Sequence, residues 1–228
     1  MGDEAAQRIL FVTGTDTGVG KTWVTCGVAR ALVEAGLEVA VRKPAESGCA
    51  RVDGELVPAD AVALREAAGS HESLEEICAV RLEEPLAPAV AAQRAGQTID
   101  VDAMVSGYRA AAERWDAVLV EGAGGFLVPL AAGLSYADLA VALGGRVLLV
   151  TAARLGAINH TLLTLEAVRA RGLEVAGVVV NHVAAEEDLA TRTLVETLAD
   201  LDEAPVLGSV PHGADPARHL PLLFPTRR

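Results

Sequence analysis

Two lysines stand apart in this chain, because the other seventeen residues of the Lys and Arg class are all arginines. Lys21 closes a glycine-rich run that begins at Gly14, and Lys43 opens the short run Lys43-Pro-Ala-Glu-Ser-Gly48. A compact ammonium binds a phosphate as a point charge, whereas a planar guanidinium presents a wide fork. Retention of lysine at these two positions predicts anion sites, although chance retention is the alternative for Lys43.

The run Gly14-Thr-Asp-Thr-Gly-Val-Gly-Lys-Thr22 follows a strand predicted at residues 8–13 and precedes a helix predicted at 21–35. This order is typical of a phosphate loop, in which backbone N–H groups and a helix N-terminus cradle phosphates. In such loops the lysine reaches the outer phosphates and the Thr22 hydroxyl would serve Mg²⁺. The standard spacing would place glycine at residue 15, where this chain has Thr15. The sequence therefore predicts nucleotide phosphate binding by a variant P-loop.

Two acidic residues are candidates to complete the Mg²⁺ site. Glu121 follows a strand predicted at 116–120 and precedes Gly122-Ala-Gly-Gly125. A carboxylate at the end of a buried strand is costly unless it is paired or metal-bound, and the small residues after it leave room for a ligand. Asp60 stands at a predicted helix start, where a role as N-cap is the alternative.

Strands and helices alternate along the rest of the chain. Further strands are predicted at 38–42, 77–82, 146–151, 174–181 and 206–210, and further helices at 59–68, 87–94, 101–115, 159–171 and 184–199. Val- and Leu-rich strands between amphipathic helices predict an α/β fold of the P-loop NTPase type, with a mostly parallel sheet covered by helices on both faces. Ligands bind beyond the carboxyl ends of such strands, where the candidate residues fall.

Composition narrows the class of protein. The 228 residues predict one domain spanning 1–228, and the 51% of apolar residues supply a large core. A net charge of −12 argues against unspecific binding to nucleic acid or anionic lipid. The apolar stretch 139–153 is interrupted by Arg146, and the acidic start has no signal-peptide pattern. Cys26, Cys49 and Cys78 lack metal-type spacing, so a cytoplasmic protein with reduced thiols is expected.

Four motifs together resemble the dethiobiotin synthetase family. In chain order they are the loop at 14–22, Lys43-Pro-x-x-Ser-Gly48, Glu121-Gly-Ala-Gly-Gly125 and Leu155-Gly-x-Ile-Asn-His160. The resemblance implies a ligase of biotin biosynthesis that uses ATP and Mg²⁺. Such an enzyme closes the ureido ring of dethiobiotin from 7,8-diaminopelargonate and CO₂. The resemblance also implies a homodimer whose substrate site spans the subunit interface.

The resemblance further implies roles for individual residues. Those expected around the nucleotide phosphates and Mg²⁺ are Gly18, Val19, Gly20, Lys21, Thr22, Trp23, Asp60, Glu121, Gly122, Ala123 and Gly124, with Thr22, Asp60 and Glu121 as metal ligands. Those expected at the base are Asn181, Pro211, His212 and Gly213. Those expected at the substrate are Thr17, Lys43 and Ser47 near the carbamate, and Gly156, Ala157 and Asn159 of the partner subunit near the distant carboxylate. Lys43, Lys21 and Thr17 are the implied catalytic residues.

Two other classes of protein share parts of this pattern. An ATPase switch of the partitioning or metallochaperone type would gate a protein partner. Such proteins usually carry a second lysine early in the phosphate loop, where this chain has Asp16. A domain of a glutamine-dependent amidoligase would need a glutaminase module that 228 residues cannot accommodate. Among other residues, Trp23 and Trp115 are expected in the core or in a wall, and His160 in a structural hydrogen bond.

Overall fold

The computed structural model describes residues 4–186 and 188–226. Its strands are β1 Ile9–Gly14, β2 Val39–Arg42, β3 Ala45–Ser47, β4 Ala50–Val52, β5 Glu55–Val57, β6 Val80–Leu82, β7 Ala117–Gly125, β8 Pro129–Ala131, β9 Leu134–Ser135, β10 Arg146–Ala152, β11 Val175–Asn181 and β12 Val206–Val210. Its α-helices are α1 Glu4–Gln7, α2 Lys21–Glu34, α3 Ala59–Ala67, α4 Leu74–Ile77, α5 Pro88–Ala95, α6 Val101–Arg114, α7 Tyr136–Leu143, α8 Ala157–Arg169 and α9 Leu189–Asp200, and a 3-10 helix follows at Pro216–Arg218. Residues 1–3 of the acidic start and residue 187 of the predicted helix 184–199 lie outside the described residues.

The central sheet is parallel throughout the described part of the chain. Its six strands run in the order β12-β11-β10-β1-β7-β2. Side chains of β1 alternate between the two faces: Ile9 and Phe11 pack in a core with α5, α6 and α7, whereas Leu10 and Val12 pack with α2 and α3. The predicted α/β fold with helices on both faces is confirmed. Because the strands are parallel, the segments that follow β1, β2, β7 and β11 meet at one edge of the sheet.

Several predicted boundaries differ from the observed ones. The strand predicted at 116–120 continues through Gly125 as β7, so Glu121 lies within a strand instead of after it. The strand predicted at 77–82 begins only at Val80, because a capping box between Ser73 and Glu76 starts α4 before it. The helices predicted from 159 and from 184 begin instead at Ala157 and Leu189.

Some elements have no counterpart among the predictions. Helix α7 is started by a capping box between Ser135 and Asp138 and ended by Gly144. The pairs β3–β6, β4–β5 and β8–β9 form small separate sheets. The parallel pair β3–β6 matters for the site, because it carries Glu46 and Ser47 towards the carboxyl edge of the central sheet.

Two further expectations concern membranes and thiols. None of the helices within 4–186 and 188–226 combines the length and apolar character needed to cross a bilayer. Cys26, Cys49 and Cys78 are buried free thiols.

Candidate functional site

The phosphate loop joins β1 to α2 at the carboxyl edge of the sheet. Gly18 and Gly20 have φ values of 75° and 88°, in the left-handed region that favours glycine. A Cβ on Gly14 would lie 2.7 Å from Val19 Cγ2, and a Cβ on Gly20 would lie 2.1 Å from Asn181 Nδ2. Backbone conformation and close packing together explain why the loop needs glycine at these positions.

Lys21 folds back over this loop. It is only 7% exposed, and its Nζ donates to the Asp16 carbonyl oxygen at 3.1 Å. Burial lowers the pKa of Lys21 to about 8. The Asp16 carboxylate accepts from the Thr17 N–H at 2.7 Å and from the Arg154 guanidinium at 2.8 Å. The lysine ammonium is therefore poorly solvated, and an anion beside it would stabilise its charge.

Lys43 meets both candidate acidic residues. Its Nζ lies 2.6 Å from Glu121 Oε1 and 2.7 Å from Asp60 Oδ2. The Thr22 hydroxyl donates to the same Glu121 oxygen at 2.8 Å. Lys43 is 2% exposed and Glu121 is fully buried. The side chains come together because β2 pairs with β7 in a register that sets Arg42 beside Val120, one residue before each of them.

The charges in this cluster compensate one another. Burial alone would lower the pKa of Lys43, but the attraction of Glu121 and Asp60 outweighs burial and raises that pKa above its usual range. Burial likewise opposes ionisation of Asp60, but Lys43 outweighs burial and lowers the pKa of the Asp60 carboxyl. Lys43 is therefore positively charged near neutral pH, and it lies between the carboxyl groups of Glu121 and Asp60.

The donor set around Glu121 fits a hard divalent cation. Among the described residues, the fully buried Glu121 Oε2 has no hydrogen-bond partner. The Thr22 hydroxyl and the Asp60 carboxylate supply further oxygen atoms, the ligand type that Mg²⁺ prefers. No group of three His, Cys, Asp or Glu side chains within the described ranges forms a metal site. A cation here would thus have two carboxylates and one hydroxyl from the protein, with phosphate and water as the remaining ligands.

A cleft of about 700 Å³ lies beside the phosphate loop. The predicted site residues that line it are Thr17, Gly18, Gly20, Lys21, Thr22, Lys43, Ser47, Asp60, Ala123 and Gly124. The opposite wall comes from the segment that precedes α5, including Pro85 and Leu86. Gly124 is required for a close approach, because a Cβ there would lie 2.9 Å from Val128 Cγ2. Lys21 and Lys43 therefore line the same cleft beside the phosphate loop.

Glu46 is a cleft residue to which the sequence analysis assigns no role. Its buried carboxylate accepts from the backbone N–H groups of Asp60 and Ala61 at 2.9 and 3.0 Å, at the start of α3. The N-cap position of α3 is Pro58, and the Asp60 side chain points to Lys43, so the alternative role of Asp60 as N-cap is wrong. Glu46, which precedes α3 by more than ten residues in the chain, instead caps the first backbone N–H groups of this helix. The signal was a carboxylate beside Lys43 in an otherwise small-residue run.

None of the residues expected at the base lines the cleft described above. Asn181 is the last residue of β11, and its Nδ2 donates to the Val19 carbonyl at 3.0 Å, so its amide supports the loop backbone. Pro211, His212 and Gly213 follow β12 and are exposed. Trp23 is 43% exposed, and its indole donates to the Ala214 carbonyl at 3.1 Å. Trp23 therefore forms an outer wall and no part of the core.

The residues expected to bind the substrate of a partner subunit lie at the start of α8. Gly156 is the N-cap, with φ 91° and no side-chain cap, and Ala157 is buried beneath it. Asn159 is exposed, as is His160, for which no structural hydrogen bond of the ring is found in the described ranges. This turn lies near the phosphate loop through the pair Arg154–Asp16, yet it does not line the cleft of its own chain. Trp115 packs against the core, as expected.

Residues 8–218 of the chain match the family model described as an AAA domain. The ATP-dependent dethiobiotin synthetase BioD of Anaeromyxobacter dehalogenans (strain 2CP-C) is 49% identical over 211 residues, which cover 92% of this chain and 93% of that protein. BioD of Thermodesulfovibrio yellowstonii is 40% identical over 210 residues, which cover 89% and 88%. This chain belongs to the dethiobiotin synthetase family.

A solved structure outside that family shares the fold. The septum site-determining protein MinD of Pyrococcus horikoshii superposes with a TM-score of 0.57 and 17% identity, over 95% of this chain and 87% of MinD. At that identity the likeness concerns the fold alone. What the two proteins share is the architecture of a mostly parallel sheet with helices.

Proposed function

We propose that this dethiobiotin synthetase family member converts 7,8-diaminopelargonate, CO₂ and ATP into dethiobiotin, ADP and phosphate in the cytoplasm. One observation carries the proposal: Lys43 converges with Glu121 and Asp60 in the cleft that Lys21 also lines. Lys21 would thus bind the phosphates of a nucleotide, and Lys43 would bind the anion that reacts with that nucleotide. Relatives that bear the dethiobiotin synthetase name supply the substrate class.

The chemistry needs two separate anion sites. One amine of the substrate adds CO₂ and becomes a carbamate. A carbamate oxygen attacks the γ-phosphorus of ATP, and the bond from that phosphorus to the ADP oxygen breaks, which leaves a carbamic-phosphoric anhydride. The second amine then forms the new C–N bond at the carbonyl carbon, phosphate leaves with the C–O bond pair, and the amine proton is released. The ring closes without a protein nucleophile.

The residues of the cleft act mainly by position and charge. Lys21 would neutralise the phosphates and Lys43 the carbamate, while Thr17 and Ser47 would hold the substrate end between them. Mg²⁺, when bound by Thr22, Asp60 and Glu121, would supply further charge neutralisation at the phosphates. Holding the second amine against the activated carbonyl makes ring closure effectively intramolecular, worth up to roughly 7–11 kcal/mol. Asn181 and residues 211–213 would contact the base.

The proposal includes a homodimer. Leu155 (84%) and Ile158 (36%) are exposed at the start of α8, and Leu163 (56%) and Leu127 (53%) line a surface depression together with Thr15 and Asp16 of the phosphate loop. Apolar side chains so exposed are typical of an interface. The first turn of α8, with Gly156, Ala157 and Asn159, has no side-chain cap; the Ala157 N–H donates to the Arg154 carbonyl at 3.1 Å, so the N–H groups that follow it, including that of Asn159, would favour an anion. A partner subunit would thereby bind the substrate's distant carboxylate.

Light scattering on the purified chain tests the dimer. We expect the mass of a dimer for the native sequence and of a monomer for Leu155→Asp. Val141→Asp, a change at an exposed apolar residue of α7 (46% exposed), serves as the matched control. A monomeric native chain with full activity would contradict the shared site.

The proposed reaction is tested by measuring ADP release and dethiobiotin formation together. ADP release should require both diaminopelargonate and bicarbonate, and dethiobiotin should appear by mass spectrometry in equal amount. Lys43→Ala should abolish ring formation while ATP binding, measured by calorimetry, persists. Lys43→Arg should not rescue the activity, because the buried space between Glu121 and Asp60 accommodates an ammonium at 2.6 and 2.7 Å. ADP release that ignores the diamine would overturn the proposed function.

A further inference from the structure

One face of helix α2 docks the C-terminal segment of the chain. Trp23, Gly27 and Arg30 are spaced by four and three residues, so they lie on one side of the helix. The Trp23 indole donates to the Ala214 carbonyl at 3.1 Å, and the Arg30 guanidinium donates to the Asp215 carboxylate at 2.6 Å. We call this arrangement, residues 23, 27 and 30 against residues 214–217, the α2 clamp.

Gly27 allows the middle of the clamp to close. It lies within α2 with an ordinary helical φ, so the backbone does not demand glycine there. A Cβ at this position would lie 2.4 Å from Pro216 Cβ and 2.9 Å from the Ala217 nitrogen. Glycine inside a helix costs stability relative to alanine. The close approach of the 3-10 helix Pro216–Arg218 is the structural feature that offsets this cost.

The ion pair fixes the segment's conformation as well as its location. Asp215 Oδ1 accepts from Arg30 and also from the Ala217 N–H at 3.1 Å, which starts the 3-10 helix. Pro216 is buried against α2. The α2 clamp therefore limits the movement of residues 211–213, which immediately precede the clamped residues.

The same helix begins with the residues that the proposed function places at the nucleotide phosphates. Lys21 and Thr22 open α2, and Trp23 is the next residue along the helix. A rigid helix that carries the phosphate ligands at its start and the docking face directly after them sets the spacing between the phosphates and residues 211–213. A nucleotide spans those two regions when its base meets the 211–213 loop.

We infer that Trp23, Gly27 and Arg30 are positioning residues for the nucleoside part of ATP, which act by holding residues 211–214 at a set distance from the phosphate loop. This inference rests on the proposed function for the location of the base. It assigns specificity for the nucleoside to a face of α2 on which Gly27 and Arg30 lie outside the lining of the cleft.

Calorimetry with two probes, MgATP and Mg-tripolyphosphate, tests the inference. Arg30→Gln should weaken ATP binding about two- to fivefold, because the pair is partly exposed. Gly27→Ala should weaken it by about tenfold or more, because Pro216 must be displaced. Tripolyphosphate affinity and kcat at saturating ATP should stay near the native values, so the change falls on KM for ATP.

Matched variants separate positioning from a general loss of structure. Gly107→Ala is the control for Gly27→Ala, because Gly107 also lies inside a helix and a Cβ there meets nothing within 4 Å. The exchange Arg30→Asp with Asp215→Arg should restore part of the ATP affinity that Arg30→Asp alone loses, because the ion pair returns while an arginine at position 215 no longer accepts from the Ala217 N–H. Variants that weaken ATP and tripolyphosphate equally, or a native chain that binds both equally, would overturn the inference. Failure of the proposed function would instead show as ATP binding without dethiobiotin formation.

Discussion

Lys43 and Glu121, 78 positions apart along the chain, form a buried ion pair with 2.6 Å between Nζ and Oε1. Glu121 is also the carboxylate proposed for Mg²⁺, and its second oxygen has no hydrogen-bond partner among the described residues. The lysine that would act on the carbamate is thus also the positive charge that compensates the metal ligand when no cation is present. If the proposed function holds, Lys43 supplies both the catalytic charge and the structural charge.

This pairing predicts a stability cost for Lys43→Met. The change leaves Glu121 buried without its counter-charge, and we expect the free energy of unfolding to fall by about 3–5 kcal/mol. Mg²⁺ should recover part of the loss, because a bound cation replaces the missing charge. Urea unfolding with and without MgCl₂ measures both effects. In the double variant with Glu121→Gln most of the loss should vanish, and an equal loss in both variants would contradict the pairing.

Lys21→Met should stabilise the ligand-free protein while it removes activity. Burial lowers the pKa of Lys21 from 10.5 to about 8, which corresponds to a penalty of roughly 3 kcal/mol at pH 7 as an upper bound. Removal of the lysine relieves this penalty, but it also removes the hydrogen bond to the Asp16 carbonyl, which costs about 1 kcal/mol. We expect a net rise in unfolding free energy of roughly 1–2 kcal/mol at pH 7, with turnover reduced at least about 10²-fold.

The sign of the Lys21 effect can be checked with pH. Between pH 8 and 10.5 the unfolded chain binds more protons at this residue than the folded chain, so the native protein gains stability as pH rises through that window. The advantage of Lys21→Met should therefore be largest below pH 8 and shrink towards pH 10. Urea unfolding at several pH values measures it, and an advantage that grows with pH would be inconsistent with a lowered pKa.

The buried pair Arg42–Glu72 should be a major stabilising contact. Two hydrogen bonds of 2.9 and 2.7 Å join the guanidinium to both carboxylate oxygens, and both side chains are largely buried. Arg42→Met should cost about 3–5 kcal/mol, because Glu72 is left as an uncompensated charge. Arg42→Met with Glu72→Leu should recover most of it. Arg51→Met, which removes an exposed pair with Glu83, is the control and should leave the free energy of unfolding nearly unchanged.

The three thiols should be unreactive in the native protein. Burial raises the pKa of Cys26 and of Cys78 to about 12 and raises the pKa of Cys49. Because the thiolate is the reactive form, a disulfide reagent at pH 8 should modify native protein slowly and all three thiols quickly in urea. Rapid modification of one equivalent in the native state would show that a cysteine is accessible.

Local features of this chain were readable from the sequence because they depend on neighbouring residues. The strand, glycine turn and helix around Lys21 follow from the backbone preferences of Gly18 and Gly20 and from the apolar run before them. The alternating elements, and hence a parallel sheet with its ligands at the carboxyl edge, follow from periodicity in the same way. The four motifs together were sufficient to indicate the family.

Contacts between distant segments were decided by the tertiary structure. No local signal shows that β2 pairs with β7, and this pairing alone brings Lys43 onto Glu121. Two other contacts likewise depend on how the segments pack around the sheet. One is the cap that Glu46 forms at the start of α3, and the other is the ion pair between Arg30 and Asp215, which are 185 positions apart. Strand order and packing are collective properties of the whole core, whereas turn and helix preferences belong to a few adjacent residues.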